Sequence, residues 1–312
     1  MEKVMVIIGP TAVGKTALSF ALAEHYGTDL ISGDAYQIYR HMDIGTAKPT
    51  ADELARYHHY LIDIAEPDEP YSAARFCDMA GKAIAEVNGK GKVPIVVGGT
   101  GLYVQSLLEG YDFGTARMTE AAKDAAQARI ASLDEGGLKE YIRRNTDWEP
   151  PDWHELLANT HRLTRLVSAI ENGEGKAFVR SGKAESLVYD AYVIGLRLPR
   201  EILYARIEER VDAMLKDGWV EEVRRLLAMG VPEGAQAMKA IGYQELARYL
   251  KGQLSLEEAA VRIKTRTRRF AKRQLTWFKR MPYIHWYEKD QYEDEAALAR
   301  AVIRDIDAHW RA

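Results

Sequence analysis

The run Gly9-Pro10-Thr11-Ala12-Val13-Gly14-Lys15-Thr16 carries the spacing G-x-x-x-x-G-K-T, and that spacing is chemistry for phosphate. Its glycines let backbone N–H groups wrap phosphate oxygens, a following helix offers its positive end, Lys15 brings charge, and the Thr16 hydroxyl suits a Mg²⁺ ion. An apolar run, Val4–Ile8, precedes the loop and a helical stretch, Ala17–Glu24, follows it, which is the context the pattern needs. All eight residues are therefore candidate ligands of a di- or triphosphate, with Thr16 the metal candidate. The pattern leaves open whether that phosphate belongs to a nucleotide.

A second constellation follows the apolar pair Leu30-Ile31: Ser32-Gly33-Asp34-Ala35-Tyr36-Gln37, then Met42-Asp43-Ile44-Gly45-Thr46-Ala47-Lys48. In a parallel sheet, ligands gather beyond the carboxyl ends of strands, so Asp34 is expected close to the phosphate loop. Its carboxylate could hold Mg²⁺ through water, accept a proton from a nucleophile, or merely cap the next turn. Asp43 reads as a turn residue. Asp63, after Leu61-Ile62, resembles a strand-terminal metal-binding aspartate, and His58 and His59 lack metal-ligand spacing. In Val96-Val97-Gly98-Gly99-Thr100-Gly101, the Thr100 hydroxyl could donate to phosphate or cap a helix.

Positive charge is concentrated between Arg262 and Arg280, where no acidic residue interrupts the run. With Phe270, Leu275, Trp277 and Phe278 interleaved, the stretch points to a polyanion such as nucleic acid, against a plain solvated helix face. Arg206 and Arg210 fall one helical turn apart. Either could reach a phosphate or pair with Glu208 or Glu209.

Strand-like runs Val4–Ile8, Thr28–Ser32, Pro94–Val97 and Tyr192–Leu198 alternate with helical stretches, among them Lys15–His25 and Ala73–Asn88. That alternation predicts an α/β fold, a parallel sheet flanked by helices. From Gly114 to Ser186 the pattern turns to helical periodicity, interrupted at Glu149-Pro150-Pro151-Asp152 and at the turn Asn172-Gly173-Glu174-Gly175, so an inserted all-helical subdomain is expected at 114–190, dividing a core of 1–113 and 191–312. Pro199 is expected to open a helix running to about Gly218, with another from Val220 to Met229. Beyond Asp290 a capped acidic helix of no evident chemistry is expected.

At 312 residues the chain can bury a large core, and its net charge of −3 makes local charge the better guide to partners. Cys77 alone cannot form an internal disulfide or a multi-cysteine zinc site, which fits the cytoplasm. No apolar run approaches the length of a membrane span and no targeting segment is expected.

The motifs Gly9–Thr16, Ser32–Asp34, Met42–Lys48, Gly98–Tyr103, Ala240-Ile241-Gly242-Tyr243 and Ala271–Trp277 occur together in an order that resembles the tRNA dimethylallyltransferases, also called IPP transferases. The resemblance spans most of the chain and implies a P-loop NTPase-like core. It further implies prenyl transfer from dimethylallyl diphosphate to the exocyclic amine of the adenosine at tRNA position 37, with Mg²⁺ as cofactor and no ATP consumed. On it the phosphate loop holds the diphosphate, Asp34 is the base, and Thr100 and Arg210 lie beside the diphosphate as catalytic residues. Asp34, Ala35, Tyr36, Gln37, Thr100, Arg162, Arg165, Lys272 and Arg273 are the expected tRNA contacts, made to the anticodon stem-loop. A monomer without an obligate protein partner is expected.

Two departures stand out. Ala35 replaces the family's serine, removing a hydroxyl near the base, and Asn159-Thr160-His161 retains only part of the His-Pro-Asn segment that precedes the insertion's Arg-rich helix. A small-molecule kinase using ATP with Asp34 and Asp63, and a nucleotide-gated RNA-binding protein, are the competing readings.

Overall fold

A computed structural model describes residues 1–111, 120–150, 152–180 and 186–311. Two compact units divide the chain: Met1–Leu108 with Leu187–Ala312, and Glu109–Ser186. The junctions thus fall at 108/109 and 186/187, a few residues before the expected 114 and 190. The expected boundary at 113/114 and Pro151 lie outside the described residues.

The first unit is built on six parallel strands in the order β3-β2-β4-β1-β5-β6. In chain order these are β1 (Lys3–Ile8), β2 (Leu30–Ser32), β3 (His59–Tyr60), β4 (Ile95–Gly98), β5 (Asp190–Arg197) and β6 (Ile284–Glu288). Strand β1 is central, pairing Met5 with Ile95 on one side and with Tyr192 on the other. Its apolar residues divide by parity: Val4, Val6 and Ile8 enter one core and Met5 and Ile7 the other, as period-2 geometry requires of a strand covered on both faces. β6 has a mixed Ile-His-Trp-Tyr-Glu sequence with only Ile284 and Tyr287 buried. Its weak pattern explains why no strand was expected there.

The helices of this unit are α1 (Lys15–Tyr26), α2 (Ala51–Arg56), α3 (Ala73–Gly89) and α4 (Gly101–Leu108) before the insertion. The insertion contributes α5 (Glu120–Ala131), α6 (Glu135–Thr146), α7 (Trp153–Ala158), α8 (Thr160–Glu171) and α9 (Gly175–Arg180). After it come α10 (Arg200–Lys216), α11 (Trp219–Ala228), α12 (Tyr243–Leu250), α13 (Leu256–Phe278) and α14 (Glu295–Arg311). Helix α13 starts at a capping box in which Ser255 and Glu258 exchange backbone hydrogen bonds.

The inserted unit has its own core, in which Leu138, Ile142, Leu163, Leu166 and Val167 pack together. Asn159, in the divergent segment, accepts the N–H of Arg162 at 3.1 Å as the N-cap of α8. Its presence there is explained by the helix it starts. Among the described residues, no helix is long and apolar enough to cross a membrane.

Candidate active site

The phosphate loop joins the carboxyl end of β1 to α1, so its backbone is aimed by the most deeply buried strand of the sheet. Gly9, Ala12 and Gly14 take positive φ values of 152°, 64° and 104°, and alternation of this kind turns successive N–H groups toward one side. Lys15 folds back on its own loop, donating from Nζ to the carbonyls of Gly9 at 2.9 Å and Pro10 at 3.0 Å. Burial pulls its pKa down to about 8, helped by the Arg210 charge and opposed by Asp34. Thr16 is exposed at the start of α1, and its hydroxyl has no hydrogen-bond partner among the described residues. Val13 is fully buried and serves the core, giving only its backbone to the loop.

Asp34 lies where the sequence placed it, beyond β2. Its Oδ1 accepts the N–H of Tyr36 at 2.8 Å and of Gln37 at 3.3 Å, while Oδ2 has no hydrogen-bond partner among the described residues. The capping and chemical roles, offered as alternatives by the sequence, are compatible: one oxygen anchors the turn and the other is free. Thr100 Oγ1 accepts the N–H of Ala35 at 3.1 Å, which leaves its proton available to a ligand. Gln37 is committed at both ends of its amide. Its Oε1 accepts from Ser32 Oγ at 2.9 Å and its Nε2 donates to the carbonyls of Thr46 and Ala47.

Two clefts meet at Asp34. The smaller, about 70 Å³, is lined by Lys15, Thr16, Ser32, Gln37 and Gly98 as well as Asp34. The larger, about 280 Å³, has Asp34, Tyr36, Arg210, Phe270 and Arg273 in its wall, with Thr11 and Ala12 of the loop at its edge. Arg210 is half-buried in this wall. Burial lowers its pKa and Asp34 opposes the shift, so the cation is held beside a carboxylate and has no ion pair among the described residues. Glu208, an expected partner for Arg206 or Arg210, instead pairs with Arg268.

Two expectations are corrected. Asp63 does not offer a free carboxylate, because its Oδ1 is paired with the buried Lys48 ammonium at 2.5 Å, and Lys48 also holds Asp43 at 2.6 Å. Nor is the basic stretch unrelieved in space. Lys264 pairs with Asp212 at 2.7 Å, Arg266 with Glu245 and Arg268 with Glu208, carboxylates brought in by α10 and α12. Lys272 and Arg273 are exposed, with no carboxylate partner among the described residues. In the inserted unit Arg162 is exposed, whereas Arg165 is half-buried over the Phe178 ring at 5.7 Å and its pKa is lowered by burial.

Three buried polar side chains shape the site without having been singled out for it. Gln274 accepts the N–H of Thr11 at 3.0 Å and donates to the carbonyl of Gly99 at 2.8 Å, tying the phosphate loop to the turn that carries Thr100. Glu222 gathers the N–H groups of Asp43, Ile44 and Gly45 and the Tyr243 hydroxyl. Lys289, the residue after β6, reaches the phosphate loop and donates to the carbonyl of Val13 at 3.2 Å. The motifs around Gly45 and Gly242 have a common cause: a Cβ at either would lie 2.0 Å from the Trp219 indole.

A family model described as IPP transferase matches residues 37–281. The chain is 42% identical over 305 residues to a Bacillus cytotoxicus protein named tRNA dimethylallyltransferase, covering 96% of this chain and 95% of that one. A Geobacillus kaustophilus protein of the same name is 42% identical over 309 residues, with 98% and 96% covered. Among solved structures, tRNA delta(2)-isopentenylpyrophosphate transferase from Staphylococcus epidermidis superposes with a TM-score of 0.73 at 36% identity over 99% of each chain. A eukaryotic dimethylallyltransferase acting on tRNA gives 0.77 at 27% identity, over 97% of this chain and 78% of that one.

Proposed function

The chain belongs to the IPP transferase family, and from that premise we propose that it transfers a dimethylallyl group from dimethylallyl diphosphate to N6 of the adenosine at position 37 of tRNA. The observation that carries this reading is the position of Asp34 in the wall of both clefts. One cleft has the small, polar lining of a phosphate site, and the other is wide enough for a base, with Phe270 for its face and cations at its rim. A carboxylate at their junction is where a nucleophile and a carbon leaving its diphosphate would meet.

The diphosphate lies along Gly9–Thr16, with Lys15 released from the Gly9 and Pro10 carbonyls to meet it. An anion beside Lys15 favours its charged form and reverses the downward shift that burial imposes. Arg210 reaches the diphosphate from the other wall, and the Thr100 proton is free to be donated to it. These donors stabilise charge as it develops on the leaving group. The lone pair of the exocyclic amine forms a bond to C1 of the prenyl group as the C1–O bond breaks and its electrons leave with diphosphate. The amine proton passes to Asp34 Oδ2.

The Thr16 hydroxyl fits a Mg²⁺ site shared with the diphosphate. Among the described residues no group of three or more His, Cys, Asp or Glu side chains could hold a metal, so the remaining ligands would be diphosphate oxygens and water. Bound there, Mg²⁺ would neutralise leaving-group charge.

The anticodon stem-loop is the proposed RNA partner. Position 37 lies in a loop, where extruding a base is easier than from a duplex. Lys272 and Arg273 would meet its backbone, as would Arg162 of the insertion. Arg165, stacked on Phe178, is better placed to orient α8 than to meet phosphate. A tRNA substrate and a lone, half-buried cysteine suit a cytoplasmic enzyme.

Incubation with labelled dimethylallyl diphosphate, Mg²⁺ and unmodified tRNA, with and without ATP, tests the proposal. Label entering tRNA without ATP is expected. ATP-dependent phosphorylation of a small molecule would establish a kinase, and RNA binding without transfer would leave only a binding protein. Asp34→Asn is expected to lower kcat by roughly 10²- to 10⁴-fold; a folded variant working at the wild-type rate would remove Asp34 from the role of base.

A further inference from the structure

Lys289 follows β6 directly, at the ligand edge of the sheet, and is 8% exposed. Its Nζ donates to the carbonyl of Val13 at 3.2 Å and is paired with Glu295 at the start of α14. A Cβ built on Gly14 would lie 2.1 Å from that Nζ, so the ammonium fills the space a side chain would need there. Two lysines thus bracket the phosphate loop. Lys15 binds the carbonyls of Gly9 and Pro10, and Lys289 binds the carbonyl of Val13.

A trans peptide is planar, and its C=O and N–H point in opposite directions. Holding the Val13 oxygen toward Lys289 therefore turns the Gly14 N–H away from it. Gly14 stands at φ 104° as the N-cap of α1, at the helix end where an anion is favoured. A flip of the 13–14 peptide would present a carbonyl to the diphosphate in place of a donor.

We propose that Lys289 is a positioning residue for prenyl transfer, which fixes the Val13–Gly14 peptide so that its N–H faces the diphosphate. Glu295 balances the buried charge. The proposal rests on the reading of Gly9–Thr16 as a diphosphate loop. The tail helix, which the sequence left without evident chemistry, supplies the carboxylate of this device.

Calorimetric binding of inorganic pyrophosphate with Mg²⁺, together with separate KM values for dimethylallyl diphosphate and tRNA, tests it on full-length protein. Lys289→Met, with its melting temperature checked, is expected to weaken pyrophosphate and raise KM for dimethylallyl diphosphate about tenfold, the size of one lost charge-assisted hydrogen bond. The KM for tRNA is expected to stay within about twofold. Lys289→Arg, which restores a charged donor, is expected to recover most of the loss, and Glu295→Gln, which leaves the ammonium on Val13, to weaken pyrophosphate less than Lys289→Met. Equal weakening by Glu295→Gln and Lys289→Met would make the ion pair a staple and overturn the assignment. So would an unchanged diphosphate KM in Lys289→Met, or equal losses toward both substrates. Should Lys289→Met not fold, the order of Lys289→Arg and Glu295→Gln decides the matter: pyrophosphate bound more weakly by Glu295→Gln overturns it. Wild-type protein that binds no pyrophosphate would instead refute the diphosphate loop itself.

Discussion

Thr100 Oγ1 accepts the backbone N–H of Ala35 at 3.1 Å, and by that bond the turn carrying Asp34 is fixed to the turn after β4. Placement of the carboxylate therefore does not depend on a side-chain hydroxyl at position 35, where this chain has alanine. Thr100→Val keeps the shape and leaves the Ala35 N–H without its acceptor, at a cost of about 1–3 kcal/mol. Single-turnover transfer is expected to slow by roughly tenfold or more, while Thr100→Ser stays near wild type. Equal rates in the valine and serine variants would show that the bond does not hold Asp34.

The lowered pKa of Lys15 has a signed consequence. Its value falls from 10.5 to about 8 in the fold, so between those limits the unfolded chain binds more protons at this site than the native one. Stability contributed by this group accordingly rises with pH across that window, because the cost of the shielded charge, fully present below about pH 8, is relieved. Urea unfolding at pH 7.5 and 9.5, windows chosen about this value, is expected to show a larger gain for wild type than for Lys15→Met. Saturating pyrophosphate should abolish the difference. A Lys15→Met protein with the same pH dependence would mean that Lys15 keeps its ordinary pKa.

If α13 meets RNA as proposed, its cations should not contribute equally. Lys272 and Arg273 have no carboxylate partner among the described residues, whereas Arg268 is paired with Glu208. Removing Lys272 or Arg273 is expected to reduce the slope of log affinity against log salt by about one each. Arg268→Ala should reduce it less, since the released Glu208 was already offsetting that charge. Filter binding of tRNA across a salt series distinguishes the two, and an equal slope change for all three would contradict the pairing.

Gly45 and Gly242 both abut Trp219, but only Gly242 has a left-handed backbone, at φ 98°. Gly45→Ala is expected to destabilise by about 1–3 kcal/mol through overpacking. Combined with Trp219→Phe, it should cost less than the sum of the single changes. Gly242→Ala should be relieved only in part, because its φ of 98° strains the backbone in addition to the clash with the indole. Thermal melts of the singles and doubles check both statements.

What could be read from the sequence was local. The phosphate loop, the aspartate beyond β2 and the threonine after β4 each follow an apolar run within a few residues, so pattern and position coincide. Gln274, Glu222 and Lys289 were not legible as site residues because their partners lie far away in the chain: 263 residues separate Gln274 from Thr11 and 276 separate Lys289 from Val13. No periodicity announces which buried amide will meet which backbone group. The same distance blindness made Asp63 look free and the basic stretch look unrelieved, since Lys48, Glu208 and Glu245 are brought in by folding. Sheet edges were the other weakness. β3 has two residues and β6 alternates imperfectly, so neither carries enough buried positions to declare itself.

Helix α13 spans 23 residues, about 34 Å at the usual rise, and carries Gln274 together with Lys272 and Arg273, the cations proposed to meet RNA, on one rod. A tRNA that tilts or turns this rod moves the amide that holds Thr11, so occupancy of the RNA surface would be felt at the phosphate loop without passing through the sheet. Binding of the two substrates is then coupled, and by linkage each must alter the other's affinity by the same factor. The rod also has a phase. Deleting one residue between Arg268 and Gln274 would rotate the amide by about 100° relative to the cations, uncoupling the loop from the RNA surface even if every charge were kept.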